Sequence, residues 1–465
     1  MTPQHQAFLA DLSRHLPAER LLTDPLRTLA YGTDASFYRL IPQIVVLARS
    51  EAEVATLLSL AHQHRVPLTL RAAGTSLSGQ AVSDSVLVLV NEGWTGQEVL
   101  DDGLRIRLQP GVIGQHANDT LRPYGRKIGP DPASIATARI GGMAANNSSG
   151  MCCGTAQNTY HTLSDLRVML ADGTVLDTSD AANVAAFRTS HASLLDGLQA
   201  LAERLRANPP LLAKVRHKYR LKNTTGYGLN ALVDFDDPLD MLVHLMIGSE
   251  GTLGFIAGIT YDTVPDHPHK ASALVLFDSL DTCCRAVSAL KEQRHATAVE
   301  LVDRRSILAV QDKPGMPAFM YGELPTDAAA LLIEVQSASP GELQAGTSRV
   351  DALVQSIRTG EYIAGVRALK FLAQDVTMKA GPAEVSGLDE VGARVTGIWP
   401  NTPVFMHGAW TTPEVSGDTV KVGATFSGFG AAPASVDFAF TFNGEGLVSR
   451  IGQVTTPQAP AQQWE

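Results

Sequence analysis

The residues best placed to do chemistry lie in RAAGTSLSGQ, Arg71 to Gln80. Gly74 and Gly79 bracket Thr75, Ser76 and Ser78; Ala73 precedes them, and Arg71 leads out of an apolar run. A diphosphate needs several backbone N–H groups turned inward with no side chains in the way. Glycines and small hydroxyl residues supply both, and Arg71 adds a compensating positive charge. Alone, such a loop reads first as a tight turn between strands. Two further segments change that weighting. GPDPAS, with Pro130, Asp131 and Ser134, is followed by IGGMAANNSSGMCCGT from Ile140 to Thr155. Gly141, Gly142, Ala145, Asn146, Asn147, Gly150 and Gly154 fall in that stretch, which is expected to be flanked by strands. It cannot pack a core by itself, but it suits backbone lying against a flat ring and a ribityl chain. The two asparagines offer both donors and acceptors to such a ligand. The third segment, IGSEGTLG, carries Glu250, Gly251 and Gly254 and follows LVHLM, expected to be an apolar strand.

In order and approximate spacing, RAAGTSLSG, GPDPAS…IGG…NNSSG…CG and IGSEGTLG resemble the FAD-binding domain of the vanillyl-alcohol-oxidase (PCMH-type) superfamily. Within it the likeness is to the D-lactate, D-2-hydroxyglutarate and glycolate dehydrogenases, which carry a segment like KNTTGYGL, Lys222 to Leu229, shortly before the SEGT loop. The resemblance covers roughly residues 20 to 340. It implies an FAD-dependent oxidation of a small D-2-hydroxy acid by hydride transfer to flavin, with electrons passed to a carrier rather than to nicotinamide. It also implies residue roles. Arg71 to Gln80, with Ala73, Gly74, Thr75, Ser76 and Gly79, would wrap the diphosphate. Pro130, Asp131, Ser134, Gly141, Gly142, Ala145, Asn146, Asn147, Gly150 and Gly154 would line the flavin and ribityl chain, and Glu250, Gly251 and Gly254 would close the site. Relatives that tether flavin covalently place a histidine where this chain has Thr75. A threonine hydroxyl cannot make that link, so the FAD is expected to be dissociable.

Oxidising a 2-hydroxy acid also needs a base for the hydroxyl proton and cations for the carboxylate. In the relatives substrate-orienting arginine and lysine residues, and in several members metal-binding histidines, lie after the cap domain, where this sequence diverges. His407 is the only histidine beyond residue 300, and one histidine cannot form a metal site. The catalytic residues therefore stay unassigned and no metal is expected. An alternative follows: a flavin-binding protein without turnover of its own, lacking the catalytic half.

Other patterns have plainer readings. GYGLNA, Gly226 to Ala231, fits GxGxxA, but polar KNTT stands before it instead of a strand. Cys152 and Cys153 could be redox partners but read first as small buried fillers. His267 and His269 could ligate a metal, although prolines around them suggest an exposed loop. The charged run Glu300 to Arg305 could meet substrate or simply end a solvated strand. No GxSxG elbow, HExxH or phosphate-loop lysine motif occurs.

The elements that must position the three segments can be read from periodicity. Ile44 to Ala48, Pro67 to Leu70 and Val86 to Val90 are expected strands. Val54, Leu57, Leu58 and Ala61 form one helix face between the first two. Asp102–Gly103 and Asp172–Gly173 announce two hairpins. Residues 181 to 218 are expected to be mainly helical, with Leu194, Leu195, Leu198, Leu201 and Leu205 as an apolar stripe. ASALVLF, a helix capped by Ser279 and running through Gln293, AVELV and AALLIEVQS suggest a small second α+β domain.

The Ser/Pro/Gly-rich residues 337 to 348 suit a linker, although the same stretch could be the last helix of the cap or the first of the next domain. Val350, Leu353, Val354 and Ile357 make one helix face, and a second helix is expected to about Ala373. The tail resembles a SnoaL-like, ketosteroid-isomerase-like cone through GEY, LAQDVTM, PVFMHGAW and TVKVGATFSGFG. Asp375, Trp399, His407 and Trp410 could line its mouth, and the cone could mediate a homodimer. The expected fold class is thus α+β: a two-subdomain PCMH-type FAD-binding fold over 1–260, a partial cap over 261–345, a cone over 346–458 and a short tail.

Composition narrows the partners. A length of 465 residues suits two or three domains. The net charge of −10 disfavours nucleic acid, which is bound through clustered Lys and Arg. No apolar run approaches the ~20 residues of a membrane span. The opening MTPQHQAFLADLSRHLP lacks the pattern of a secretory signal. The four cysteines stand as two adjacent pairs, Cys152–Cys153 and Cys283–Cys284, which rarely form relaxed disulfides. A reducing, cytoplasmic setting is expected.

Overall fold

Three short apolar runs, Ile44–Leu47 (β1), Leu68–Arg71 (β2) and Val86–Leu89 (β3), pair in parallel with β3 in the middle. Helix α1, Glu51–His64, crosses from β1 to β2, as the 3.6-residue periodicity requires. Ser50 caps it by accepting from the Glu53 amide, and Arg65 ends it in the left-handed conformation. Val54, Leu57 and Ala61 turn inward against Ile44, Val46, Val86 and Val88. Burying each such large aliphatic side chain stabilises the sheet by roughly 1.5–3 kcal/mol. All four residues of β3 are buried, which marks it as the centre of the sheet.

This computed structural model describes residues 1–293, 296–314, 321–358, 372–380, 383–386, 408–410, 414–426, 434–445 and 447–453. The chain divides into two units, Met1–Pro268 and His269–Glu465.

The rest of the first unit is antiparallel. Gln97–Leu100 (β4) and Arg105–Leu108 (β5) form the hairpin expected at Asp102–Gly103. Further on, helix α2 spans Ile140–Asn146, and Leu163–Met169 (β6) and Val175–Asp177 (β7) form the second hairpin. Helix α3 is Ala192–Arg206, helix α4 is Pro238–Met246, and β8 is Phe255–Pro265. The sheet order is β4-β5-β8-β6-β7.

Three local expectations change. LVHLM lies in helix α4 and not in a strand: Asp237 caps the helix, Pro238 opens it, and it is apolar nearly all round because most of it is buried. IGGMAAN is likewise helical, burying Ile140, Met143 and Ala144, with Gly141 half-buried and Gly142 exposed. In α3 the buried stripe is Leu195, Leu198, Ala202 and Leu205, whereas Leu194 and Leu201 are exposed.

In the second unit, His269–Phe277 (β9), Ala298–Asp303 (β10) and Ala329–Ser337 (β11) make an antiparallel sheet with β11 central. Helix α5, Leu280–Gln293, begins where Ser279 accepts from the Thr282 amide, as expected. Helix α6 spans Pro340–Arg358 without interruption, so residues 340–348 are helical and do not form a linker. Val350, Leu353, Val354 and Ile357 join Phe277, Cys283, Leu331 and Ile333 in one hydrophobic cluster. The stretch read as either a cap helix or a cone helix therefore packs on the three-stranded sheet. A division at 345/346 falls inside α6, and one at 260/261 falls inside β8. Ser and Gly there do not break the helix because its buried face supplies the stabilisation that their propensity lacks.

Beyond α6, among the described residues, seven strands from Leu372–Ala380 to Val448–Gln453 form a second sheet, antiparallel except where those two strands pair in parallel. Leu372 and Ala373 begin a strand and do not end a helix. Asp375 is exposed, and Trp410 ends the short strand Gly408–Trp410. Trp399, His407 and the GEY segment lie outside the described residues. Among the described residues no helix is long and apolar enough to cross a membrane, and no three His, Cys, Asp or Glu side chains cluster as a metal site.

Candidate cofactor-binding site

The first glycine-rich loop leaves the C-terminal end of β2, and the structure shows how it is held. The Arg71 guanidinium turns back into the loop and donates through Nη1 to the carbonyls of Thr33 (2.8 Å), Ala81 (3.2 Å) and Tyr31 (3.3 Å). Burial lowers its pKa below the ordinary arginine value. Its charge thus lies beneath the loop, which it also organises. Gly74 and Gly79 both have left-handed backbones, and a side chain on Gly79 would meet the Tyr38 ring at 2.9 Å. A cavity of about 360 Å³ opens here. Arg71, Ala73 and Thr75 line it from the loop, and Tyr31, Asn91, Thr137 and Arg139 line it from elsewhere.

The second segment supplies α2 and the turns after it. Gly142 presents its bare face towards Ala72, and Gly141 packs on Pro110 so closely that a Cβ would stand 2.6 Å from it. Asn147 ends α2 in the left-handed conformation. Asp131 shapes the turn that follows: its carboxylate accepts from the amides of Gly150 (3.0 Å), Cys152 (3.2 Å) and Cys153 (3.2 Å). A side chain on Gly150 would overlap the Asp131 carbonyl oxygen, so only glycine fits there. Pro130 is buried and Ser134 is half-buried, its carbonyl accepting from the amides of Thr137 and Ala138. Cys153 is buried beside Asp131, which together raise its thiol pKa to about 11. A thiol held so firmly protonated fits the filler reading better than a redox one.

The third segment closes on the second. The amides of Gly248 and Glu250 donate to the carbonyls of Ala144 and Ala145 at the end of α2. Glu250 has a left-handed backbone between two left-handed glycines, Gly248 and Gly251. Its carboxylate oxygen Oε1 accepts from Asn146 Nδ2 at 2.6 Å and from Gln80 Nε2 at 3.3 Å. Burial raises its pKa, while the two N–H donors pull it back down. One carboxylate therefore joins all three segments. Gly254 plays a different part: a Cβ would meet Val168 at 2.9 Å, so it serves packing between strands. Gly154 is left-handed with open space beside it, and Ser76 is half-buried in its loop.

KNTTGYGL lies against the same region. Lys222 Nζ donates to the Ser149 carbonyl at 2.6 Å. Asn223, Gly226 and Gly228 share a small recess with Asn147, Tyr160, His161 and Gly248. GYGLNA follows a helix and a turn instead of a strand, so it is no dinucleotide fingerprint. Four buried polar atoms in these segments have no hydrogen-bond partner: Gln80 Oε1, Ser149 Oγ, Asn223 Oδ1 and Ser249 Oγ. Such atoms are costly unless a ligand or an ordered water satisfies them. FAD offers ribityl hydroxyls, ring carbonyls, a ring imide and an amine, so hydroxyl and amide partners beside glycine turns fit it.

Tyr31, Asn91, Thr137 and Arg139 escaped the motif reading, as did Asn158, Tyr160 and His161 around the recess. Arg139 stands directly before the IGG run, and that adjacency is the signal that could have found it. The others converge only through tertiary contacts.

Residues 42–179 match the FAD binding domain family, and residues 266–377 match the C-terminal domain of FAD linked oxidases. The second match runs past residue 340, where the resemblance was expected to stop, through α6 and into the LAQDVTM strand. The chain is 27% identical over 354 residues to glycolate oxidase subunit GlcD of Escherichia coli K12, covering 75% of this chain and 59% of that protein. It is 28% identical over 291 residues to D-2-hydroxyglutarate dehydrogenase of Pantoea ananatis, covering 61% of this chain and 28% of that one. The fold is similar to that of p-cresol methylhydroxylase in its substrate-bound structure, with a TM-score of 0.51, 11% identity, and coverage of 77% and 65% of the two chains. The chain spans about three fifths of the length of the glycolate oxidase subunit.

Proposed function

For a chain of the FAD-binding, FAD-linked oxidase type whose cofactor is FAD, we propose the oxidation of a small D-2-hydroxy acid such as D-lactate, D-2-hydroxyglutarate or glycolate to the 2-oxo acid. The observation that carries this reading is the convergence of three separate glycine-rich segments on Glu250, beside four unsatisfied buried polar atoms. Bound FAD would supply the two-electron acceptor. The protein's part is to hold and orient it. The amides and hydroxyls of residues 73 to 80 would meet the diphosphate, with the Arg71 charge fixed beneath them. Thr137 and Arg139 would border the same cavity. Helix α2, the Asp131-shaped turn and the Gly248–Gly251 turn would hold the ribityl chain and ring. Thr75 leaves the FAD non-covalent, and electrons would leave to a carrier. Anaerobic titration of the yellow protein with a panel of D- and L-2-hydroxy acids tests the proposal. Bleaching by a D-acid supports it, and a flavin spectrum unchanged by every acid counts against it.

The strands beyond residue 377, where the oxidase match ends, motivate a second reading. In it the chain holds FAD without turnover. The later strands would then serve as a SnoaL-like ligand-binding or dimerising module. Yellow protein that no hydroxy acid reduces, and that is dimeric only with residues 378–465 present, would favour this second reading.

A further inference from the structure

We propose that Glu250 is a positioning residue that fixes which way the Gln80 side-chain amide faces, so that Gln80 Oε1 is presented to bound FAD as a hydrogen-bond acceptor. This rests on the FAD reading above and sharpens it to one atom. An amide can turn either its oxygen or its nitrogen to a neighbour, and the partner decides which. Glu250 Oε1 receives two N–H groups, from Asn146 Nδ2 at 2.6 Å and Gln80 Nε2 at 3.3 Å. An ionised carboxylate only accepts, so both amides point their nitrogens at Glu250. Asn146 is then satisfied on its other side, where its Oδ1 accepts from Ser148 Oγ at 2.9 Å. Gln80 is not: its Oε1 is buried without a partner. A buried amide oxygen in that state calls for a donor from the ligand, and the ribityl hydroxyls, the ring imide and the adenine amine of FAD are donors.

The backbone supports the assignment. Glu250 holds a left-handed φ of 54°, a conformation costly for a residue with a Cβ, and it does so while its amide is anchored to the Ala145 carbonyl. The turn is strained in a way that places this carboxylate between α2 and the Arg71–Gln80 loop.

The test is a double-mutant cycle on the full-length protein, stripped of flavin and titrated with FAD by fluorescence quenching. Glu250→Gln keeps the shape but lets the new amide face either way; Gln80→Ala removes the acceptor. Each variant is expected to weaken FAD binding about tenfold, the size of one buried hydrogen bond. The double variant is expected to be no weaker than Gln80→Ala alone, because Glu250 acts through Gln80. Full multiplication of the two losses would overturn the proposal, as would unchanged affinity in Glu250→Gln. Should Glu250→Gln fail to fold, Gln80→Leu carries the test alone. It keeps the volume without the acceptor, so unaltered affinity and flavin spectrum would again overturn the proposal. Wild-type protein that takes up no FAD would sink the parent reading as well, which separates the two failures.

Discussion

The two units differ in how their interiors are built. In Met1–Pro268, unsatisfied oxygens of Gln80, Ser149, Asn223 and Ser249 gather where three turns meet, and turns at 74, 79, 147, 248, 250 and 251 are left-handed. In the second unit, β9, β11, α5 and α6 meet through Phe277, Leu290, Leu331, Ile333 and Val354, all nearly inaccessible. A cavity of about 510 Å³ there is walled mainly by Ala271, Leu274, Val275, Ile333 and Val354. The first arrangement leaves polar atoms for a ligand or water to satisfy. The second draws its stability mainly from apolar burial around that cavity. The difference teaches that the proposed cofactor site draws on polar turns, whereas the second unit draws on apolar faces.

That contrast can be broken. Gly150→Ala should have the largest effect, because the added methyl has nowhere to go but into the Asp131 backbone. A loss of about 4 kcal/mol or more is expected together with loss of bound FAD, measured by thermal melting and by flavin absorbance. Leu331→Ala should cost about 2–5 kcal/mol by leaving a cavity in the second unit. Its FAD affinity should stay at the wild-type value; if FAD is lost as well, the division of labour is wrong.

Acidity offers a finer probe. His244 has its pKa lowered from the ordinary 6.5, first by burial, and it stacks on Phe235 at 3.9 Å. A lowered pKa means that the unfolded chain takes up the proton first. Stability is therefore constant above about pH 6.5 and falls as the pH drops from there towards the folded pKa. His244→Phe should flatten that fall in melting curves recorded from pH 7.5 to 5.5, and an unchanged slope would remove His244 from the account. The smallest effect belongs to Gly154→Ala: its φ of 52° is unfavourable for alanine but nothing stands within 4 Å. A cost of about 1 kcal/mol is expected, with FAD retained. A loss as large as that of Gly150→Ala would show that Gly154 touches the ligand.

Much of this was legible in the residues. The β1–α1–β2 unit and both Asp-Gly hairpins followed from periodicity and turn chemistry, because both are local. LVHLM was misread because a short apolar run buried on all sides has no helical or strand period to show; the Asp237–Pro238 start was the better signal. Residues 340–348 were misread because Ser, Pro and Gly suggest a linker, while Pro340 in fact opens a helix whose apolar face lies further on.

The sequence by itself determined that three side-chain-poor turns exist and that a small hydroxyl stands at Thr75; the resemblance those turns carry implied FAD, which the family matches support. Only the tertiary structure decided that Glu250 reaches Asn146 and Gln80, that Arg71 lies under its loop, and that Arg139 and Thr137 border the same cavity. The physical reason is range. Turn chemistry depends on a few adjacent backbone angles, whereas a hydrogen bond between residues 170 positions apart depends on every strand that brings them together.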